Sequence, residues 1–402
     1  MRKLFVFCVL LASVVMWQSL SLRHFAEWRS RAAERSSDDE ILIGVCWPFE
    51  INKDGMEEGI VLALDEINAR RIRGKRFRLV WRDDHLNIER TRDIALEFSR
   101  TPGMVATIGY YDSSSAVRAS AIFEESQLLH ITIGSNNTYM THRDFRYLIR
   151  TVLPCIRIGP KLARMCLDRG YRKVAIVFED SPFGEDLAYH FEVVLDSKDA
   201  QTVYKGSYVR GMVDFREMVD ELKAVQAELI LFAGIEAEGA AFIRAARAMG
   251  LDTPILGSFD DLPEMHRVPE EALEGVMFYS LYNVNSGTPE NRAFVTKFRK
   301  RFGHLPGVYA AQAYDALNIL AAAFEMTGST NPLDLSYAIR FREPWEGANG
   351  TYAFESSGEL MDKDLFLMAY RDGEAQLIGV SEAMSADDPE QDLVRSSQIR
   401  PR

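Results

Sequence analysis

The sequence predicts an α/β chain folded as two doubly wound, Rossmann-like lobes, each built on a parallel central sheet. Three observations carry this. Short apolar runs alternate with segments of helical spacing, strand then helix, from Ile41 to Ile133. The alternation restarts at Lys173 and runs to Tyr282. The length, 402 residues, suits two domains better than one.

In the first set, Ile41 to Trp47 reads as a buried strand. Asp54 to Ala69 carries Met56, Ile60, Leu64 and Ile67 at helical spacing. Phe77 to Trp81 is the second strand, and Asn87 caps the next helix, whose apolar positions are Ile88, Ile94, Ala95 and Phe98. Met104 to Gly109, a helix from Ser113 to Glu125, and a strand from Leu128 to Ile133 follow. The second set opens with the strand Lys173 to Phe178. Ser181 is the cap and Pro182 the first residue of its helix. Then come the strand Val203 to Val209, a helix announced by the Asp214/Glu217 capping-box spacing, and the strand Glu228 to Phe232. The helix Glu236 to Met249 and the strands Pro254 to Gly257 and Gly275 to Tyr282 close the set.

The last third holds two long helices, Pro289 to Phe302 and Tyr309 to Met326. Its strands are Tyr352 to Phe354, Leu365 to Arg371 and Gln376 to Val380. These are too few to bury a core of their own, so they complete the two lobes, and the chain crosses between lobes three times.

Composition narrows the function. Apolar residues at 47% and charged residues at 26% describe a globular chain. A net charge of -12 argues against a nucleic-acid partner. Met1-Arg2-Lys3 followed by the apolar run Leu4 to Trp17 is an export signal, with Ser19 and Ser21 spaced for cleavage. Leu4 to Leu22 is alternatively an uncleaved anchor, and both readings stay open. Residues 23–39 are polar and read as a tether, and Ser381 to Arg402 as a disordered tail. Cys155 and Cys166 could pair after export. The preferred reading is three buried thiols, with Cys46.

No catalytic, metal or cofactor motif stands out. There is no phosphate-binding glycine loop, no nucleophile elbow and no paired histidine spacing. His130 lies inside a strand and reads as a core residue. Asp83-Asp84 and Asp260-Asp261 read first as loop or cap residues. Open parallel sheets bind ligands beyond the carboxyl ends of their strands. There the sequence places Ser113, Ser114 and Ser115 at a helix start, where free amides and hydroxyls suit an anionic group. Gly134, Ser135 and Asn136 follow the next strand. Trp47, at the end of the first strand, is a possible apolar wall, with core packing as the competing reading.

Five segments then make the chain recognisable: GMEEGIVLALDEINA (Gly55 to Ala69), ATIGYYDSSSAVRAS (Ala106 to Ser120), VAIVFEDSPFGEDLA (Val174 to Ala188), FVTKFRKRFGHLPGVYAAQAYDALNILAAA (Phe294 to Ala323) and WEGANGTYAFESSGEL (Trp345 to Leu360). By their order and spacing from Glu40 to Val380 the chain resembles the type I periplasmic binding proteins, in the leucine/isoleucine/valine-binding branch of ABC-transporter receptors. The resemblance implies lobe one at 40–152 plus 284–348 and lobe two at 153–283 plus 349–380, joined by three hinge strands and closing on a ligand. It implies a carboxylate held by Ser113 and a polar residue at Asn136, with Phe183 covering the ligand from lobe two. A second family aromatic falls on Ile235. The family's acidic partner for a ligand ammonium falls on Phe259, and the neighbours Asp260 and Asp261 are candidates to replace it. The family's lobe-one disulfide has no counterpart, because Asp112 stands at one of its positions. The expected protein is a monomeric, exported, non-enzymatic receptor without cofactor or metal. It captures a small amino acid, carboxylate or amide in the periplasm and delivers it to an ABC transporter permease. The alternative is a membrane-tethered sensor of the same fold.

Overall fold

The computed structural model describes residues 22, 25–29, 31–33, 40–51, 55–260 and 263–382. The signal or anchor reading of residues 1–21, the tail from 383 onward and Asp261 lie outside the described residues.

Lobe one is a five-stranded parallel sheet. Its strands are β1 (Glu40–Cys46), β2 (Arg76–Arg82), β3 (Met104–Gly109), β4 (Leu129–Thr132) and β5 (Leu148–Arg150), in the order β2-β1-β3-β4-β5. All six residues of β3 and all four of β4 are buried, as expected of strands covered on both faces. The covering helices from the first half are α1 (Met56–Arg70), α2 (Ile88–Arg100) and α3 (Ser113–Glu125). Asn87 caps α2 by accepting from the Glu89 and Arg90 amides, as its sequence position predicts.

The second lobe carries α4 (Cys155–Asp168), β6 (Lys173–Glu179), α5 (Pro182–Asp196), β7 (Gln201–Tyr208), α6 (Arg216–Ala224), β8 (Leu229–Ala233), α7 (Glu236–Ala248), β9 (Ile255–Gly257), α8 (Glu270–Leu273) and β10 (Val276–Ser280). Ser181 caps α5 through the Gly184 amide, with Pro182 in its first turn. The Asp214/Glu217 capping box does not form. Phe215 is the N-cap residue of α6, and the Asp214 carboxylate is engaged by the Arg216 guanidinium and amide.

The chain then returns to lobe one with α9 (Pro289–Phe302), α10 (Val308–Thr327) and α11 (Pro332–Arg340). Helix α10 lies along α1 closely enough that a Cβ on Gly59 would stand 2.0 Å from the Ala310 carbonyl oxygen. After the small hairpin β11 (Trp345–Gly347) and β12 (Gly350–Tyr352), the chain crosses for the last time. Strands β13 (Leu365–Arg371) and β14 (Glu374–Ser381) extend the second sheet to β14-β13-β10-β9-β8-β6-β7. Both added pairings are antiparallel, so this sheet is mixed where the sequence predicts a purely parallel one. A short hairpin can join only antiparallel strands, and the two-residue turn at Asp372-Gly373 makes one.

The reading of 23–39 as a plain tether also needs correction. Residues 25–29 and 31–33 are helical, and Arg29 is fully buried against lobe one. Its guanidinium donates to the carbonyls of Ser99, Ser126 and Gln127 at 2.8–2.9 Å, the ends of α2 and α3. Cys46, Cys155 and Cys166 are free buried thiols. Cys155 and Cys166 lie eleven residues apart on α4, about 16 Å along the axis, beyond disulfide reach. His130 is a core residue, packed against Tyr110 and Phe123, and burial pushes its imidazole down to about 3.

Candidate functional site

Both sheets turn the carboxyl ends of their parallel strands toward one cavity, of roughly 670 Å³ including its mouth. From lobe one, the segment after β3 supplies Tyr111, Asp112 and Ser113, and the segment after β4 supplies Ile133, Gly134 and Asn136. From lobe two, Phe183, Arg210, Gly234 to Glu236, Ser258 and Asp260 each follow a strand of the second sheet. Helix α10 adds Val308, Tyr309 and Gln312. Gly134 is required by close approach: a Cβ there would sit 2.4 Å from the Tyr111 carbonyl oxygen.

Of the residues expected from sequence, Ser113, Gly134, Asn136, Phe183 and Asp260 line this cavity. Ser113 is buried, and its hydroxyl accepts a hydrogen bond from Ser135 at 3.0 Å. Ser135 itself stands behind the wall, fully buried and also in contact with the Met140 sulfur. The Asn136 amide donates to the Leu153 carbonyl at 2.6 Å, tying the cavity wall to the first crossover. Ser114 does not line the cavity. Trp47 is a core residue at 0% exposure, edge-on to Tyr111 and Tyr309. It supports the wall from behind. Phe259 points into the lobe-two core, against Phe232 and Phe278. Asp260 faces the cavity instead and accepts from the Ser280 hydroxyl at 2.8 Å, so it is not a helix cap.

The start of α3 is not an open anion site. The buried Asp112 carboxylate accepts from the Ser114 amide (2.9 Å), the Ser115 amide (3.2 Å) and the Ser115 hydroxyl (2.9 Å). An acid at this position satisfies the orphan amides and complements the helix dipole by itself.

Sequence reasoning did not single out the polar groups that bridge the lobes. The Tyr111 hydroxyl donates to Glu236 at 2.6 Å across the cavity. Arg210 donates to Glu179 at 2.6 Å and lies 3.8 Å from Asp112. At the rim, the Asn137 amide donates to the Pro182 carbonyl at 2.9 Å, and the Thr138 amide to Asp186 at 2.6 Å. Burial pushes the Glu236 carboxyl up to about 7, opposed by the Tyr111 hydrogen bond. A rule applied to lobe one, that polar residues just past strand ends face the ligand, finds Arg210, Glu236 and Ser258 when applied to lobe two.

Elsewhere, Glu50, Asp83 and His85 place ligand atoms within 4.8 Å of one another, the one such cluster among the described residues. Asp83 there already accepts from the Glu50 and His85 amides. No helix among the described residues is long and apolar enough to cross a membrane.

Comparison with known proteins matches residues 48–375 to the family described as Periplasmic binding protein. A Leu/Ile/Val-binding protein homolog 2 of Brucella abortus is 25% identical over 345 residues, 83% of this chain and 91% of the relative. An ABC transporter substrate-binding protein of Desulfitobacterium hafniense, solved with Leu, superposes with a TM-score of 0.75 at 27% identity. That match covers 84% of this chain and all of the other. A solute-binding protein of R. palustris, solved with benzoate, has the same fold at 18% identity (TM-score 0.76, covering 87% and 98%).

Proposed function

Because the chain belongs to the periplasmic binding proteins, in their type I Leu/Ile/Val-binding branch, we propose that it captures one small polar organic molecule between its lobes and delivers it to an ABC importer. The solute is an amino acid or a related carboxylate or amide. The carrying observation is the cavity itself: hydroxyl and amide groups of Ser113 and Asn136 on one wall, Phe183, Arg210, Glu236 and Asp260 on the other. Each wall belongs to a different sheet, so a solute touching both favours the closed arrangement by the contacts it makes only there. Hinges fall near Thr151, Asn283 and Ala348. The protein acts as an exported monomer, without a cofactor, partnered by a permease.

The apolar run Leu4 to Leu22 favours a second reading, a tethered sensor with the same cavity. Permease and ATPase genes beside this one support import, and a kinase or cyclase gene supports sensing. The solute-binding reading is tested by native mass spectrometry of the full-length protein. A retained small molecule, released on unfolding and displaced by one solute from a screen of amino acids, amides, carboxylates and amines, is the expected result. The absence of both a retained molecule and any binding solute would overturn it.

A further inference from the structure

The cavity has an unusual balance of charge for a site meant for a carboxylate. Three carboxylates line it, Asp112, Glu236 and Asp260, against one guanidinium, Arg210. Arg210 is already committed to two acids. It donates to the buried Glu179 at 2.6 Å and sits 3.8 Å from Asp112. The helix start that would offer amides to an anion has two of them filled by Asp112. An incoming carboxylate therefore meets an occupied anion seat and an acidic surround. Burying a second anion beside buried carboxylates is costly unless each gains a cation.

A separate observation points to what does fit. Gln312 lines the cavity at 1% exposure, and its Oε1 is buried with no hydrogen-bond partner. A buried acceptor left unpaired costs free energy, and a donor on a ligand would satisfy it. Gln312 lies one helical turn beyond Tyr309, whose ring is 5.4 Å from that of Tyr111. Tyr111 in turn holds Glu236. Tyr111, Phe183, Tyr279 and Tyr309 also line the cavity, and aromatic rings attract cations over their faces.

We infer that the solute is a small organic cation, an amine whose carboxylate is absent or masked as an amide, held by its nitrogen among Glu236, Asp260 and Gln312. This rests on the solute-binding reading above and replaces the carboxylate in its ligand class by a cation. Its N–H donors answer the Gln312 acceptor, its charge offsets the excess of carboxylates, and its carbon skeleton lies against the aromatic rings.

The test is calorimetry on the full-length protein with matched probes on two skeletons: isopentylamine, leucine and 4-methylpentanoate, and phenethylamine, phenylalaninamide, phenylalanine and 3-phenylpropanoate. On at least one skeleton the amine or amino-acid amide should bind tenfold or more tighter than the amino acid, and the carboxylate weakest. Glu236→Gln and Gln312→Leu should each weaken the amine about tenfold, as loss of a hydrogen bond to a charged group does. Gln312→Glu, which adds a second anion, should tighten it. That variant tests the inference even where Glu236→Gln fails to fold. A carboxylate that binds tighter than its amine overturns the cationic assignment and leaves the solute-binding reading standing. If no probe binds, the molecule retained in native mass spectrometry decides. A retained amine supports the inference, a retained carboxylate overturns it, and no retained molecule overturns both readings.

Discussion

Ser113 and Asp112 stand side by side at the start of α3 and divide its work. Asp112 caps the helix, which leaves the Ser113 hydroxyl, supported by Ser135, directed to the cavity. Ser113→Ala should therefore weaken the bound solute about tenfold with little change in melting temperature, because the cap is untouched. Calorimetry with a parallel melting curve checks this. Glu236 gives a pH signature. Burial raises its carboxyl from an ordinary 4.5 to about 7, with Glu264 and Asp260 adding to the shift. The folded protein thus holds a proton that the unfolded chain has released between those values, and stability falls as pH rises through that window. Asp84 and Asp315, both pushed up to about 6 mainly by burial, act with the same sign. Glu236→Gln should remove its own part, so the loss of melting temperature between pH 5 and pH 8 becomes shallower than in wild type. At this scale five of the nineteen residues that line the cavity were legible in the sequence. Ser113, Gly134, Asn136, Phe183 and Asp260 were found by their place after strands or by resemblance. Tyr111 and Gln312 were not, because an aromatic before a helix cap and a glutamine inside an apolar helix carry no local mark of facing a ligand.

Helix α4 is the clearest element that periodicity missed. Its polar positions Arg157, Lys161, Arg164 and Asp168 recur at helical spacing, but Gly159-Pro160 stands in its middle and reads as a break. The glycine has a reason: a Cβ there would meet the His190 carbonyl carbon at 2.7 Å, where α4 crosses α5. Strand β5, three residues long, is too short for any pattern. The elements that were legible, β3, α3, α9 and β13 among them, have clear caps or turns at both ends. The helical stretch around Arg29 was hidden because its largest inward group is charged and only the small Ala26 is buried a turn before it. Arg29→Met should cost about 3 kcal/mol or more, since three buried carbonyls lose their donor together. Urea unfolding should show that loss. Gly59→Ala should likewise lower the melting temperature by forcing α1 from α10, where the Ala310 backbone leaves no space.

The whole molecule is organised by its crossovers. Each lobe alone presents half a cavity, and the halves meet through Tyr111–Glu236, Asn137–Pro182 and Thr138–Asp186. Two of these contacts start beyond β4 and reach the first two turns of α5, the helix that carries Phe183 to the cavity. Sequence order leads to the expectation of three crossings, because the last third is too short to form a core of its own. It did not give the direction in which β13 joins β10, because that antiparallel pairing is made by distant segments, whereas the Asp372-Gly373 turn does mark the β13–β14 hairpin. The central claim, that a solute bound between the lobes holds them closed, is tested most directly by small-angle scattering of the full-length protein titrated with its tightest-binding solute. The radius of gyration should contract as the solute saturates and should fail to contract when Ser113 is replaced by tryptophan to fill the cavity. An unchanged scattering curve at saturation of the wild type would contradict it.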